Sequence, residues 1–262
     1  MNFHQAKQYL SYRLLSWHKH GHGIHSPFVY ALIKDVFQDR KHYPEYQKVS
    51  TVRTEYLKSD DVIEIVDFGA GSTVFKDNKR KVSQLAAVSA MTDKYGALLF
   101  RMVKHFKPKT IIELGSCIGI GTSWQAMGHD GSKLFTIEGD PSSHAIAKHT
   151  VSKLALKNVC LLQGTFEHEL PKLLELLESV DFVFIDGNHR EKPTLEYFNL
   201  LKPRLNKSSV VIFDDIHLTE EMERAWTVIK ADSAVVLTID IFRFGMVFFN
   251  EGVVKQNFIV RF

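Results

Sequence analysis

The sequence predicts an α/β protein with a Rossmann-like, seven-stranded, mostly parallel sheet, a C-terminal antiparallel hairpin and a helical N-terminal segment. Three observations lead to this fold class. Short apolar runs alternate with amphipathic segments from residue 110 onward, a glycine-rich turn follows the first run, and two β-rich runs stand close together near the end. Such alternation is typical of βαβ units. We expect residues 1–95 to form an accessory or lid segment, mainly helical, and residues 96–262 to form the main domain.

Five apolar runs are the predicted parallel strands. Their near-continuous apolar character is expected of strands whose two faces are both covered by helices. The runs occupy residues 110–114, 133–138, 159–163, 180–185 and 209–213. Amphipathic segments predict helices near 121–128, 142–155, 166–178, 193–205 and 220–230.

Two further β-rich runs, 234–242 and 244–249, end the predicted sheet. A parallel crossover needs a dozen or more residues, so runs this close can pair only as an antiparallel hairpin. A dinucleotide-binding domain continues instead with βα units. The hairpin therefore argues against a standard domain of that kind.

The N-terminal segment predicts helices over 3–17 and 27–38, one or two helices over 82–105, and a strand over 62–68. Ser26 and Pro27 are suited to begin the second helix, because serine caps helices and proline is tolerated in their first turn. Four histidines, His18, His20, His22 and His25, lie between the first two helices. They could hold a metal, form a loop or lid near an acceptor pocket, or pack, and these alternatives stay open.

Composition indicates an ordinary globular protein. Of 262 residues, 45% are hydrophobic and 24% charged, and the net charge is only +3. That charge is too small and too dispersed to indicate a nucleic-acid partner. The chain has two cysteines and no long apolar run, so we expect a cytoplasmic protein without a membrane span.

The residues 113–121 (ELGSCIGIG) follow the first predicted parallel strand. A glycine-rich turn between strand and helix lets a ligand approach the backbone and presents free N–H groups. The G-x-x-x-G-x-G spacing differs from the dinucleotide pattern G-x-G-x-x-G. Glu138 ends the second strand, where an acidic side chain can accept hydrogen bonds from ribose hydroxyls.

Four motifs in order resemble those of class I S-adenosylmethionine-dependent methyltransferases, in the O-methyltransferase branch related to catechol O-methyltransferase. They are 113–121 (ELGSCIGIG), 135–140 (FTIEGD), 182–189 (FVFIDGNH) and 210–215 (VVIFDD). The resemblance covers residues 96–250. It implies that S-adenosyl-L-methionine is bound by Glu113, Gly115, Ser116, Gly119, Glu138, Gly164, Thr165 and Asp186.

A second stretch, 67–72 (DFGAGS), also looks like the first of these motifs. The charged segment after it would make a poor helix for packing on a sheet, and no acidic strand end follows at the expected distance. We therefore place the cofactor loop at 113–121, and 67–72 is a candidate turn over the site.

Asp186 follows the fourth predicted strand, and Asp214 and Asp215 follow the fifth. Three neighbouring carboxylates repel one another unless a cation, a proton or hydrogen bonds compensate. Metal-dependent relatives have an Asp after strand four and an Asp-Asn pair after strand five, which makes Asp186, Asp214 and Asp215 candidate ligands for Mg²⁺ or Ca²⁺. The relatives have Asn where this chain has Asp215, and a catalytic lysine where it has His189.

Asp186, His189, Asp214 and His217 are the candidate catalytic residues, and each histidine lies three residues after a carboxylate that it could orient. A metal-assisted reaction, a His or Asp base without metal, and neither of these stay open. The sequence thus predicts O-methylation of a small-molecule acceptor. An NAD-type oxidoreductase, a cofactor-binding protein without catalysis and a macromolecule methylase are alternatives, and a homodimer is one open assembly state.

Overall fold

The computed structural model describes residues 3–16, 24–66, 78–249 and 254–262. The chain forms two compact units. Unit 1 comprises Met1–Asp39 and Leu177–Phe262, and unit 2 comprises Arg40–Leu176. The predicted domain boundary at residue 96 stays a prediction. The glycine-containing stretch 67–72 and three of the four clustered histidines lie outside the described residues.

The helices are numbered in chain order. Their bounds are α1 (Phe3–Leu15), α2 (Pro27–Leu32), α3 (Pro44–Leu57), α4 (Val82–Val88), α5 (Asp93–Phe106), α6 (Ile120–Ala126), α7 (Pro141–Lys153), α8 (Phe166–Leu176), α9 (Glu191–Leu201) and α10 (Glu220–Ala231). A π-helical turn continues α2, and a 3₁₀ turn follows α9. No helix among the described residues is both long and apolar enough to cross a membrane.

The strands are numbered in the same way. Their bounds are β1 (Val62–Glu64), β2 (Lys79–Lys81), β3 (Thr110–Leu114), β4 (Lys133–Glu138), β5 (Val159–Gln163), β6 (Val180–Ile185), β7 (Leu205–Phe213), β8 (Leu237–Asp240), β9 (Gly245–Phe248) and β10 (Gln256–Ile259).

Unit 2 contains two sets of strands. β3, β4 and β5 pair in parallel, in that order, with Leu114 opposite Ile137 and Glu138 opposite Gln163. β1 and β2 form a separate antiparallel pair. Because β3, β4 and β5 are parallel and in register, their carboxyl ends lie at one edge, where α/β proteins bind ligands.

Unit 1 contains five strands in the order β6, β7, β9, β8, β10. β6 pairs with β7 in parallel, and Ile185 lies opposite Phe213. β9 is antiparallel to both β7 and β8, and β10 is parallel to β8. The ends of β6, β7 and β8 and the start of β9 therefore lie at one edge of this unit.

The predicted α/β class with mostly parallel pairing is confirmed. Four predicted strands match β3, β4, β5 and β6 to the residue, and the predicted hairpin is β8 with β9. β7 begins four residues earlier than predicted, at Leu205. An eighth main strand, β10, and the short strand β2 are missing from the prediction, because neither has a long apolar run.

Helix starts agree with their sequence signals. The Ser26 hydroxyl accepts a hydrogen bond from the backbone N–H of Val29, and Pro27 occupies the first helical position of α2. The Asp140 carboxylate accepts from the N–H of Ser143 at the start of α7. These side chains satisfy backbone donors that the first helical turn leaves free.

Helix α1 packs within unit 1 on the turn between β8 and β9. The rings of Tyr9 and Tyr12 lie 5.1 and 5.4 Å from that of Phe242. The Tyr12 hydroxyl donates to the Val260 carbonyl and accepts from the Phe262 N–H. Tyr12 thus joins the first helix to the last described residues.

Helices α5 and α6 pack closely in unit 2 at a glycine. A Cβ atom on Gly96 would overlap the indole ring of Trp124, which is fully buried. Gly96 therefore allows α5 to accept the largest side chain of this core.

We predict that Gly96→Ala lowers the free energy of unfolding. Overpacking costs about 1–3 kcal/mol, and a gain of about 1 kcal/mol in helix propensity offsets only part of it. Urea unfolding measures the change, with Val88→Ala, at an exposed position of helix α4, as the control. Unchanged or increased stability of Gly96→Ala would contradict this close packing of α5 on α6.

Candidate functional site

The glycine loop of unit 2 follows β3 and leads into α6. Gly115 and Gly119 have φ values of 99° and 81°, in the left-handed region that favours glycine. A Cβ on Gly119 would lie 3.0 Å from the Ala147 Cα of helix α7. Gly119 therefore serves both the backbone turn and the close approach of α7.

Glu113 lies beneath this loop and is fully buried. Its Oε2 accepts hydrogen bonds from the hydroxyls of Thr122 and Thr136 at 2.5 and 2.7 Å, and its Oε1 accepts from Gln125 at 2.5 Å. Burial raises its pKa to about 7, although the three hydrogen bonds act in the opposite direction. Because three side-chain donors engage its two oxygens and the residue is 0% exposed, this geometry favours support of the loop rather than direct cofactor contact, whereas Glu138 is only partly buried.

Glu138 connects the end of β4 to the glycine loop. Its Oε2 accepts from the backbone N–H of Cys117 at 2.8 Å, and its Oε1 accepts from the N–H of Asp140 at 3.0 Å. Burial raises the pKa of Glu138 to about 7. Cys117 adopts a left-handed φ of 48°, which non-glycine residues rarely do. The backbone at Cys117 is a site feature that the sequence pattern did not indicate.

The remaining predicted cofactor residues of unit 2 lie in the glycine loop and in the loop between β5 and α8. Ser116 follows Gly115, and its buried hydroxyl has no hydrogen-bond partner among the described residues. Gly164 donates its N–H to the Glu138 carbonyl, and the Thr165 carbonyl accepts from two N–H groups in the first turn of α8, those of its third and fourth residues. A buried hydroxyl without a partner is costly, so Ser116 is suited to bind a ligand.

The acidic cluster of unit 1 comprises Asp186, Asp214 and Asp215. Since Ile185 lies opposite Phe213, the two residues that follow them, Asp186 and Asp214, are neighbours. Burial and the Asp214 charge raise the pKa of Asp186 to about 7. The same two causes raise the pKa of Asp215 to about 6.

Arg243 precedes β9 and forms a two-pronged ion pair with Asp214. Its Nε and Nη2 donate to Oδ1 and Oδ2 of Asp214 at 2.8 and 2.7 Å. Burial alone would raise the pKa of Asp214, but the charge and hydrogen bonds of Arg243 outweigh it and hold that pKa below its usual value. Sequence reasoning missed Arg243, although a single cation within the apolar residues 241–244 was a usable signal.

His189 lies beside Asp186, as the sequence spacing suggested. Its Nε2 is 3.6 Å from Asp186 Oδ1, and its side chain is 22% exposed. Burial alone would lower the pKa of His189, but Asp186, followed by Asp215 and Asp214, raises it to about 9. His189 is therefore an imidazolium at neutral pH.

His217 pairs with a different acid from the one that its spacing suggested. It lies three residues after Asp214, yet its Nε2 is 2.8 Å from Oδ2 of Asp240 at the end of β8. Its ring stacks on Phe242 at a centroid distance of 5.4 Å. The suggested contact with Asp214 is replaced because Arg243 already occupies both oxygens of that carboxylate.

Backbone strain is concentrated in this cluster. Four residues in its loops, none a glycine, have left-handed φ angles, namely Asn188 (66°), His189 (42°), Asp215 (51°) and Phe242 (73°). Such conformations cost on the order of 1–3 kcal/mol each and gather at functional sites.

The residues as placed do not fit the divalent cation predicted for Asp186, Asp214 and Asp215. Both Asp214 oxygens already bind Arg243, and the described ranges contain no group of three or more acidic, His or Cys side chains arranged to hold a metal. His25, the one described member of the histidine tract, is exposed just before α2.

Comparison with known proteins places these features in context. Residues 112–216 match the family model of a methyltransferase domain. The chain is 27% identical over 124 residues to a catechol O-methyltransferase of Niastella koreensis, covering 46% of this chain and 55% of that protein. It is 28% identical over 130 residues to catechol O-methyltransferase B of Danio rerio, covering 47% and 48%. The chain thus spans about half the length of the curated relatives it matches.

Solved structures share the fold. The O-methyltransferase TomG of Streptomyces achromogenes, solved in complex with SAM, aligns with a TM-score of 0.58 at 18% identity, covering 83% of this chain and 96% of that one. The predicted Rossmann-like methyltransferase fold and the resemblance to O-methyltransferases are confirmed.

We predict that Glu113→Gln flattens the pH dependence of stability. The raised pKa means that the folded protein binds more protons than the unfolded chain between pH 4.5 and 7, so stability falls as pH rises through this window. Removing Glu113 should remove up to about 3 kcal/mol of that fall. Urea unfolding at several pH values tests this, with exposed Glu175→Gln as the control; identical slopes for wild type and Glu113→Gln would refute it.

We also predict that His189 titrates near pH 9 and that Asp186→Asn lowers this pKa towards 6.5, because the largest favourable charge is removed. The pKa is measured from the pH dependence of the imidazole resonances in heteronuclear NMR. The resonances of His189 are assigned as those that disappear in His189→Gln. A wild-type His189 that titrates near 6.5 would be inconsistent with its ion pair to Asp186.

Proposed function

We propose that the protein is an S-adenosylmethionine-dependent methyltransferase that methylates a hydroxyl oxygen of a small-molecule acceptor. The observation that carries the proposal is the contact of Glu138 with the glycine loop, within the stretch that matches a methyltransferase domain. This contact holds an acid suited to ribose beside backbone groups suited to the rest of the cofactor.

The cofactor residues have distinct parts in this proposal. Glu138 accepts from the ribose hydroxyls, and the Ser116 hydroxyl gains the partner that it lacks among described residues. Gly115 and Gly119 bring the backbone close to the methionine part, and Gly164 and Thr165 flank the adenine. Glu113 acts indirectly, through Thr122 and Gln125 of α6. S-adenosylmethionine, when bound, would supply a methyl group carried on a sulfonium sulfur. Loss of the methyl group would leave that sulfur as a neutral thioether.

Asp186 is the proposed general base. A hydroxyl becomes a good nucleophile when it loses its proton, and a base works best when its pKa is near the working pH. Asp186, with a pKa of about 7, meets this condition, whereas His189, with a pKa of about 9, already holds its proton at neutral pH. The hydroxyl proton of the acceptor passes to Asp186, which must be a carboxylate before the reaction begins. The neighbouring His189 imidazolium stabilises that negative charge.

Asp214 and His217 hold the surroundings of this base. Asp214 is ion-paired with Arg243, and His217 is hydrogen-bonded to Asp240, so neither can accept a proton without losing a partner.

The names of the relatives make catechols the first acceptors to examine. The two cysteines, which are not joined in a disulfide, and the modest charge favour a cytoplasmic enzyme without a nucleic-acid substrate.

Two variants separate cofactor binding from proton transfer. Glu138→Ala should weaken S-adenosylhomocysteine binding at least about tenfold in calorimetry, which corresponds to about 1.4 kcal/mol. Asp186→Asn should change that affinity less than Glu138→Ala does, and should lower methyl transfer from labelled S-adenosylmethionine by about 10²–10⁴-fold. Catechol and a panel of related phenols and alcohols serve as acceptors.

Exposed Glu196→Gln is the matched control for both measurements. Absence of S-adenosylhomocysteine binding, or preference for NAD, would overturn the cofactor assignment. Full turnover by Asp186→Asn would overturn the role of the base while leaving the cofactor assignment intact.

A further inference from the structure

Arg243 makes the closest contact of the acidic cluster, and no sequence motif assigns it a role. Both Asp214 oxygens bind its guanidinium, and Oδ1 also accepts from the Asp215 N–H at 2.9 Å. The Asp214 side chain is 0% exposed and that of Arg243 is 21% exposed. A planar guanidinium matches a carboxylate in this two-pronged geometry better than any other side chain.

The backbone holds Arg243 in position. Its N–H donates to the Ile241 carbonyl at 3.0 Å, and its own carbonyl accepts from the Ile216 N–H at 3.4 Å. The preceding residue, Phe242, adopts a left-handed φ of 73°, and its N–H donates to Asp240 at 2.7 Å. These hydrogen bonds fix the turn, so Arg243 is held in place rather than being a mobile surface side chain.

Charge balance explains why a cation is needed at this position. The cluster holds three carboxylates, and buried carboxylates without compensation are strongly unfavourable. Arg243 lies against Asp214 and 4.0 Å from Asp215, while His189 faces Asp186. Mg²⁺ would need free carboxylate oxygens at about 2.0–2.1 Å, but those of Asp214 are already engaged.

We propose that Arg243 takes, in this cluster, the place of a divalent metal. It is a positioning residue that neutralises and orients Asp214, so that Asp186 acts in methyl transfer without a metal ion. Unlike a bound metal, the guanidinium cannot dissociate from the protein, and it keeps its charge at neutral pH. The catalytic part of this inference rests on the proposed function, but the identity of the cation can be tested without turnover.

The first test uses Mn²⁺ as a paramagnetic probe on the full chain. Electron paramagnetic resonance should detect no Mn²⁺ bound at the cluster in wild type, at a Kd limit of about 1 mM. Arg243→Met, which keeps an unbranched stem and removes the charged guanidinium, should bind Mn²⁺ more tightly. Arg224→Met, at an exposed arginine of the same unit, is the matched control and should behave as wild type.

The second test is a double-mutant cycle on thermal stability. Arg243→Met and Asp214→Asn should each lower Tm, because each leaves one buried partner unpaired, and the double variant should lose less than the sum of the two. If neither single variant folds and the double variant does, that result also demonstrates this coupling. Arg243→Lys, which keeps the charge and loses the fork, should lie between wild type and Arg243→Met in Tm.

The outcomes decide the proposal. It stands if wild type binds no Mn²⁺ at the cluster and the two substitutions are coupled. It falls if wild type binds one Mn²⁺ that Asp215→Asn abolishes, or if the two losses in Tm simply add. Failure of the proposed function would appear instead as absence of S-adenosylhomocysteine binding, which leaves both of these measurements interpretable.

Discussion

In each unit, in-register parallel strands place consecutive strand ends side by side, and the chemistry of the protein depends on this constraint. β3, β4 and β5 bring the glycine loop, Glu138 and Gly164 to one edge of unit 2. β6 and β7 bring Asp186 and Asp214 together in unit 1. A shift of one strand by one residue would turn its side chains to the other face and disperse these groups.

The buried acids of the two units are stabilised in different ways. Glu113 is surrounded by neutral donors, which hold it without adding charge. Asp214 has a permanent cation, Arg243, and remains ionised. Asp186 faces an imidazolium at 3.6 Å, but burial and the Asp214 charge raise its pKa to about 7, so it gains and loses its proton near neutral pH. These differences separate supporting acids from the acid that is suited to exchange protons.

Local pattern predicted the features that depend on neighbours in sequence. The apolar runs of β3, β4, β5 and β6 indicated their strands, and the glycine spacing with Glu138 indicated the cofactor loop. The pairing of Arg243 with Asp214 escaped prediction, because it spans 29 residues and depends on how β9 runs beside β7.

The partner of His217 escaped prediction for a related reason. His217 lies three residues after Asp214, but Arg243 binds both oxygens of that carboxylate. His217 pairs with Asp240 instead. β10 was missed because four residues of mixed polarity become a strand only beside β8. The roles of the site residues and the domain boundary at residue 96 stay predictions.

The hydroxyl of Tyr12 also bears on how the protein is made. Its acceptor, Val260, lies 248 positions later in the chain. At a synthesis rate of about 5–20 residues per second, the ribosome needs tens of seconds to produce that partner after helix α1 has emerged. Throughout that interval the Tyr12 hydroxyl is without its native partners, the Val260 carbonyl and the Phe262 N–H, so α1 can complete its native contacts only after the last residues have been made.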